Sequence, residues 1–242
     1  MERLGVIGMP SDWLIASHVD YHNVETNLGI QLVDIPIERV TSLGEVDPGI
    51  DGANAIYDRL KELIAEYELS GVTLRCFDLL STVKNTGCIA LSRLNDEGIP
   101  AACEGDIPTL LTMMLCQRLT GCPGFQCNPA RIEDGRMLFA HCTLPLSMTT
   151  CHSLTTHFES GIGVAIHGEL PEGDYTLVKL SGDLKRLFAA NVQLVSNQYE
   201  PNLCRTQVWL EIDDKVSHYF QTNPIANHHV LIPGHHEDKF AL

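Results

Sequence analysis

Apolar positions in the first half of the chain follow two periods in turn. Short β-rich runs at 4–8, 29–37, 72–78 and 101–103 read as buried strands. Between them the spacing becomes helical. Ala55, Ile56, Leu60, Leu63, Ile64 and Tyr67 line one face of a helix over about 52–69, a second helical stretch covers about 85–95, and a third runs from Pro108 to Leu119. Gly71 stops the first of these helices, and proline at 108 suits a first turn. Strand alternating with helix over roughly 1–122 predicts a parallel, doubly wound α/β sheet.

The pattern changes after Gly121-Cys122-Pro123-Gly124. Glu133-Asp134-Gly135-Arg136 is a hairpin turn ahead of the apolar 137–140, and Pro171-Glu172-Gly173-Asp174 precedes a strand over 175–180. Further strands are expected at 191–195 and 206–212. Regularly spaced strands with turns predict a barrel or sandwich, so the chain divides into an α/β domain, 1–125, and a β-rich domain, 126–242.

Composition narrows the range of partners. The 242 residues carry a formal net charge of −15, with 44% hydrophobic and 19% charged residues. That is the make-up of a folded protein, and the acidic balance argues against nucleic acid or an anionic membrane as partner. The longest apolar runs fall short of the roughly 20 residues needed to span a bilayer. Nine cysteines are scattered without a C-x-x-C pair, which predicts buried free thiols in a reducing cytoplasm rather than disulfides or a zinc–thiolate site.

Candidate chemistry lies at the segment ends. Ala102-Cys103-Glu104-Gly105-Asp106 puts two acids between a strand and a helix start, where a carboxylate serves as metal ligand, general base or helix cap. Asp78, expected at the end of the third strand, has the same options. Met9-Pro10-Ser11-Asp12-Trp13 leaves the first strand where ligands bind in open α/β sheets, so Ser11 and Trp13 are candidate substrate contacts. His141 follows a strand. His228 and His229 are adjacent, and on a strand only one of them can face a given site. Imidazoles with a carboxylate suit manganese, iron, cobalt or zinc better than magnesium or calcium. No nucleophile elbow, phosphate loop or dinucleotide fingerprint is present.

Taken in order, Arg75-Cys76-Phe77-Asp78, Ala102-Cys103-Glu104-Gly105-Asp106, the stretch 120–129, His141-Cys142-Thr143 and Ala226-Asn227-His228-His229 resemble the L-fucose isomerase and L-arabinose isomerase superfamily. Pro10 to Ile15 resembles the loop that opens that family's middle domain. The resemblance implies an α/β domain followed by a β-barrel, with a divalent ion, commonly manganese, between them. It assigns Glu104 as ligand and base, with Asp106 or Asp78 as alternate bases, and His141 and His228 as ligands. The family's second carboxylate falls at Asn128, whose amide can coordinate a metal but cannot act as a general base. The family also carries a further N-terminal domain ahead of the first residue here. Its active sites are completed by neighbouring subunits, which implies a homo-oligomer, a trimer or hexamer.

The expectation is thus a metal-dependent aldose–ketose isomerase acting on a small sugar through an enediolate. The alternatives are a relative that keeps the scaffold and binds sugar or metal without turnover, and a metal-dependent lyase or epimerase.

Overall fold

The structure is a computed structural model and describes residues 1–241. Four parallel strands form one sheet: β1 (Glu2–Ile7), β2 (Ile30–Ile35), β3 (Gly71–Leu74) and β4 (Ala101–Cys103), in the order β2-β1-β3-β4. The helices between and after them are α1 (Tyr21–Leu28), α2 (Glu38–Thr41), α3 (Ile50–Tyr67), α4 (Phe77–Thr82), α5 (Cys88–Asp96) and α6 (Ile107–Thr120). Because side chains alternate along a strand, the sheet buries two faces. Ile7, Ile35 and Leu74 pack against α3 and α5, while Leu4, Val6, Ile30 and Ala102 pack against α1 and α6. Helices on both faces match the layering expected from the sequence.

The third strand is shorter than predicted. β3 ends at Leu74, and 77–82 are helical, so Asp78 sits in the first turn of α4 rather than at a strand end. The Asp78 amide closes a turn onto the Arg75 carbonyl, and its carboxylate pairs with the Arg75 guanidinium at 3.2 Å. Local turn chemistry outweighs the apolar run that suggested strand.

The rest of the chain is largely antiparallel. Its elements are β5 (Phe125–Glu133), β6 (Arg136–His141), β7 (Cys151–Thr155), β8 (Ala165–Glu169), β9 (Gly173–Leu180), β10 (Leu187–Gln198), β11 (Thr206–Glu211), α7 (Asp214–Thr222) and β12 (His229–Pro233). Six of the strands close on themselves in the order β10-β11-β6-β5-β12-β9, and β7 and β8 form a separate hairpin. Phe125, Phe139, Leu177, Val192, Val208 and Leu231 fill the interior. Outward residues Val178, Val230 and Ile232 join the cluster around α6, so that helix is packed between the parallel sheet and the barrel.

Gln126 makes a second connection between the halves. Its side chain accepts from the Cys103 N–H at 2.8 Å and donates to the Cys103 carbonyl at 3.3 Å. β4 is an edge strand with open backbone groups, and this amide satisfies a pair of them as another strand would. Among the described residues no helix is long and apolar enough to cross a membrane. All nine cysteines are free thiols, six of them buried.

Candidate metal centre

Cys103, held by Gln126, is followed by a tight turn that delivers Glu104. Both Glu104 and Gly105 have positive φ, +62° and +64°, and the Asp106 amide reaches back to the Cys103 carbonyl. A left-handed glutamate is strained, a conformation that persists only where the surroundings impose it. Gly105 is required here for a further reason: a Cβ would lie 2.6 Å from the Met9 carbonyl oxygen and 3.0 Å from the Ser11 nitrogen. The loop after β1 therefore lies directly on the turn. Ile15 N–H donates to Asn227 Oδ1 at 2.6 Å, which ties the same loop to the segment carrying His228.

Glu104 Oε1 lies 3.4 Å from His141 Nε2 and 3.4 Å from His228 Nε2. One ligand atom from each of the three residues falls within 4.8 Å of the others, and all three side chains are largely buried. Ligand atoms about 2.1 Å from an ion stand roughly 3–3.5 Å apart in adjacent positions, so the spacing suits one cation. Glu104 Oε2 faces away and accepts from Trp13 Nε1 at 2.9 Å.

The two histidines differ in how they fit an ion. His228 Nδ1 is 2.9 Å from Asp106 Oδ2, while its Nε2 is buried and has no hydrogen-bond partner among the described residues. A carboxylate on one ring nitrogen and an unpartnered second nitrogen is the arrangement of a metal-ligating imidazole. His141 Nδ1 instead accepts from the Thr143 N–H at 3.1 Å, which leaves its neutral-ring proton on Nε2, toward Glu104. Glu104 thus fits an ion as it stands, and His228 fits once its raised ring gives up the Nε2 proton. His141 fits once its proton has left Nε2.

Electrostatics follow from this packing. Burial alone would raise the Glu104 carboxyl, but the charge of His228 and the hydrogen bond from His141 hold it well below its usual range. Burial alone would lower His228; Glu104 and Asp106 overcome it and raise the ring to about 9. His141 is lowered, chiefly by burial. Asp106 is fully buried and held low by Lys179 and His228 against its burial.

The remaining candidates fall into place around this core. Asp106 is the N-cap of α6, with Oδ1 accepting the Thr109 N–H at 2.8 Å, so its oxygens are engaged behind His228 rather than open to a substrate. Asp78 does not join the cluster. It lines an open cleft of about 580 Å³ with Met9, Asp12 and Arg75. Trp13 packs edge-on against Phe77, and the Arg75 guanidinium lies 4.7 Å from its ring. The Arg75–Asp78 segment therefore shapes the seat of Trp13. Ser11 is buried, with its hydroxyl unpartnered among the described residues. Asn128 is half-buried on β5 opposite Ala140, and strand alternation puts it on the face that carries Gln126. His229 turns the other way, with Nε2 2.9 Å from the Tyr219 hydroxyl beside Phe188 and Phe220.

Three participants escaped the sequence reading: Gln126, His157 and Lys179. His157 edges against Phe77. The Lys179 ammonium, fully buried, lies 3.5 Å from Asp106 Oδ1 and 2.5 Å from Thr109 Oγ1. A lysine inside an apolar strand pattern is a signal that could have drawn attention to it.

No protein-family model matches the chain. Among curated proteins it is similar to a sulfoquinovose isomerase of Alkalicoccus urumqiensis, 28% identical over 114 residues. That alignment covers 46% of this chain and 26% of the relative, so the matched part is about a quarter of that protein's length. The similarity is thus to a sugar isomerase, and the Glu104–His141–His228 cluster is a possible site for a divalent ion.

Proposed function

We propose that this chain is a metal-dependent aldose–ketose isomerase of the L-fucose and L-arabinose isomerase type. In this reading 1–125 and 126–242 are two domains, with the active site where they meet. The observation that carries it is the buried Glu104–His141–His228 cluster, with His228 Nε2 unpartnered and its Nδ1 committed to Asp106. Similarity to a sugar isomerase supports the reaction class.

Glu104, His141 and His228 would hold the ion, with manganese the first choice from the resemblance to the L-fucose and L-arabinose isomerases. When bound, a divalent ion supplies positive charge that stabilises the enediolate of an open-chain sugar. The chain's own residues do the rest. Glu104 presents two unlike oxygens, Oε1 to the imidazoles and Oε2 to Trp13. In this reading Oε2 takes the proton from C2 and returns it to C1. Trp13 orients that oxygen and screens it from water. Asp106 orients His228, and Asp78 acts only through Arg75 and Trp13. The substrate is a small sugar or sugar derivative, the compartment the cytoplasm, and the working form a homo-oligomer.

The test is metal content of the purified protein, followed by turnover with manganese on a panel of aldoses, deoxy-sugars, sulfo-sugars and uronates, with products identified by NMR. Ketose formation that depends on the metal is expected. Failure of the wild type to bind any divalent ion would overturn the reading. Asn128 in place of a second carboxylate favours one rival, a binding protein without turnover. Sugar binding with no conversion, and no gain in Asn128→Asp, would establish that rival.

A further inference from the structure

The polar contacts behind His228 do not stop at Asp106. Lys179 and Asp106 are both fully buried, and they come from opposite halves of the molecule: β9 of the barrel and the N-cap of α6. Strand alternation continues the inward row Tyr175 and Leu177 to Lys179, at the end of the barrel where His141 closes β6. The ammonium is held by Thr109 Oγ1 as well as Asp106, so its position is fixed from two sides.

Removing a cation and a carboxylate from water is costly, and a buried pair persists only where its geometry is well satisfied. Asp106 meets that condition: Oδ1 accepts from the Thr109 N–H and faces Lys179, and Oδ2 faces His228 Nδ1. Lys179 is the side chain that faces Asp106 from the barrel half, opposite the oxygen that meets His228.

We propose that Lys179 is a positioning residue for the ion: it fixes Asp106 so that the carboxylate keeps the Nδ1–H of His228 and directs its Nε2 lone pair at the cation. This rests on the metal-holding reading given above. The role reaches across the molecule, because a barrel strand then sets the orientation of a ligand ring through the cap of a helix in the α/β half. Partners that hold a ligating histidine typically change metal affinity 10–100-fold when altered.

The experiment is isothermal titration of the whole chain with manganese(II), alongside NMR of ¹⁵N-labelled protein loaded with zinc(II). Lys179→Met, folded by circular dichroism, is expected to bind manganese about 10–100-fold more weakly than wild type. In the wild-type zinc form, His228 is expected to carry its proton on Nδ1, and Lys179 to give a protected ammonium resonance. In Lys179→Met the His228 proton signal is expected to shift or broaden, an effect that loss of packing elsewhere would not produce. Wild-type affinity in a folded Lys179→Met overturns the inference while leaving the metal site standing. Absence of binding by wild type overturns both. Should Lys179→Met not fold, the wild-type spectra decide: a neutral Lys179 amine, or a His228 proton on Nε2, overturns the proposal.

Discussion

Asp106 Oδ2 lies 2.9 Å from His228 Nδ1, and both side chains are completely buried. The contact joins residues 122 positions apart. It gives an acid that reads as a helix cap a second role, as the partner of an imidazole in the candidate metal cluster, while Glu104 faces both rings of that cluster.

Glu104→Gln keeps the shape of the side chain and removes its charge. Manganese affinity is expected to fall at least tenfold and turnover to vanish, since general-base transfer alone is worth about 10²–10⁴-fold. The fold is expected to persist, judged by an unchanged circular dichroism spectrum. Activity near the wild-type level would exclude Glu104 as the base.

Metal binding is expected to depend on pH through His228. Its ring is raised to about 9 by Glu104 and Asp106, so near neutrality Nε2 carries a proton that an ion must displace. Affinity should therefore rise by up to about tenfold per pH unit below 9 and level off above it. Calorimetry in buffers of different ionisation enthalpy should count about one proton released per ion. Affinity that does not change between pH 6 and 8 would contradict this charge state.

Stability of the metal-free protein is expected to peak near pH 6.5. The raised His228 contributes fully below the unfolded value of 6.5, and its contribution is lost as pH climbs to about 9. Burial lowers His229 to about 3 and His157 to about 4, so the unfolded chain takes up protons first as pH falls below 6.5. Glu104, held low by the imidazoles, adds a further loss only below its unfolded value of 4.5. Urea denaturation in chelator at pH 5, 6.5 and 9 checks this, and a maximum at pH 9 would refute it.

Gln126→Leu strands the buried backbone N–H of Cys103 and leaves its carbonyl only the long Asp106 N–H contact at 3.4 Å. Each orphaned group costs about 1–3 kcal/mol, so a loss of about 2 kcal/mol or more is expected in urea titration. Gln126→Glu is expected to be worse, because it replaces the N–H that Cys103's carbonyl accepts with an oxygen. A neutral effect of both would mean that β4 does not depend on this bridge.

Much of the architecture was readable because it depends on local periods. Helical spacing located α3, α5 and α6, and turn residues located the start of β6 and β9. Asp78 misled because a β-rich run does not reveal that the next residues close a turn. The rule that neighbouring strand residues point apart anticipated the split between His228 and His229, which face Asp106 and Tyr219 respectively. Lys179 and Gln126 stayed hidden because their partners lie 73 and 23 residues away.

The amino-acid order determined which segments alternate, where they turn, and that carboxylates and imidazoles stand at their ends, because propensity and periodicity act over a few residues. Only the tertiary structure decided that Glu104, His141 and His228 share one space, and that Asp106 and Lys179 stand behind them. Those contacts exist because the barrel closes against α6, and burying its apolar faces there brings side chains from distant segments within a few ångströms of one another.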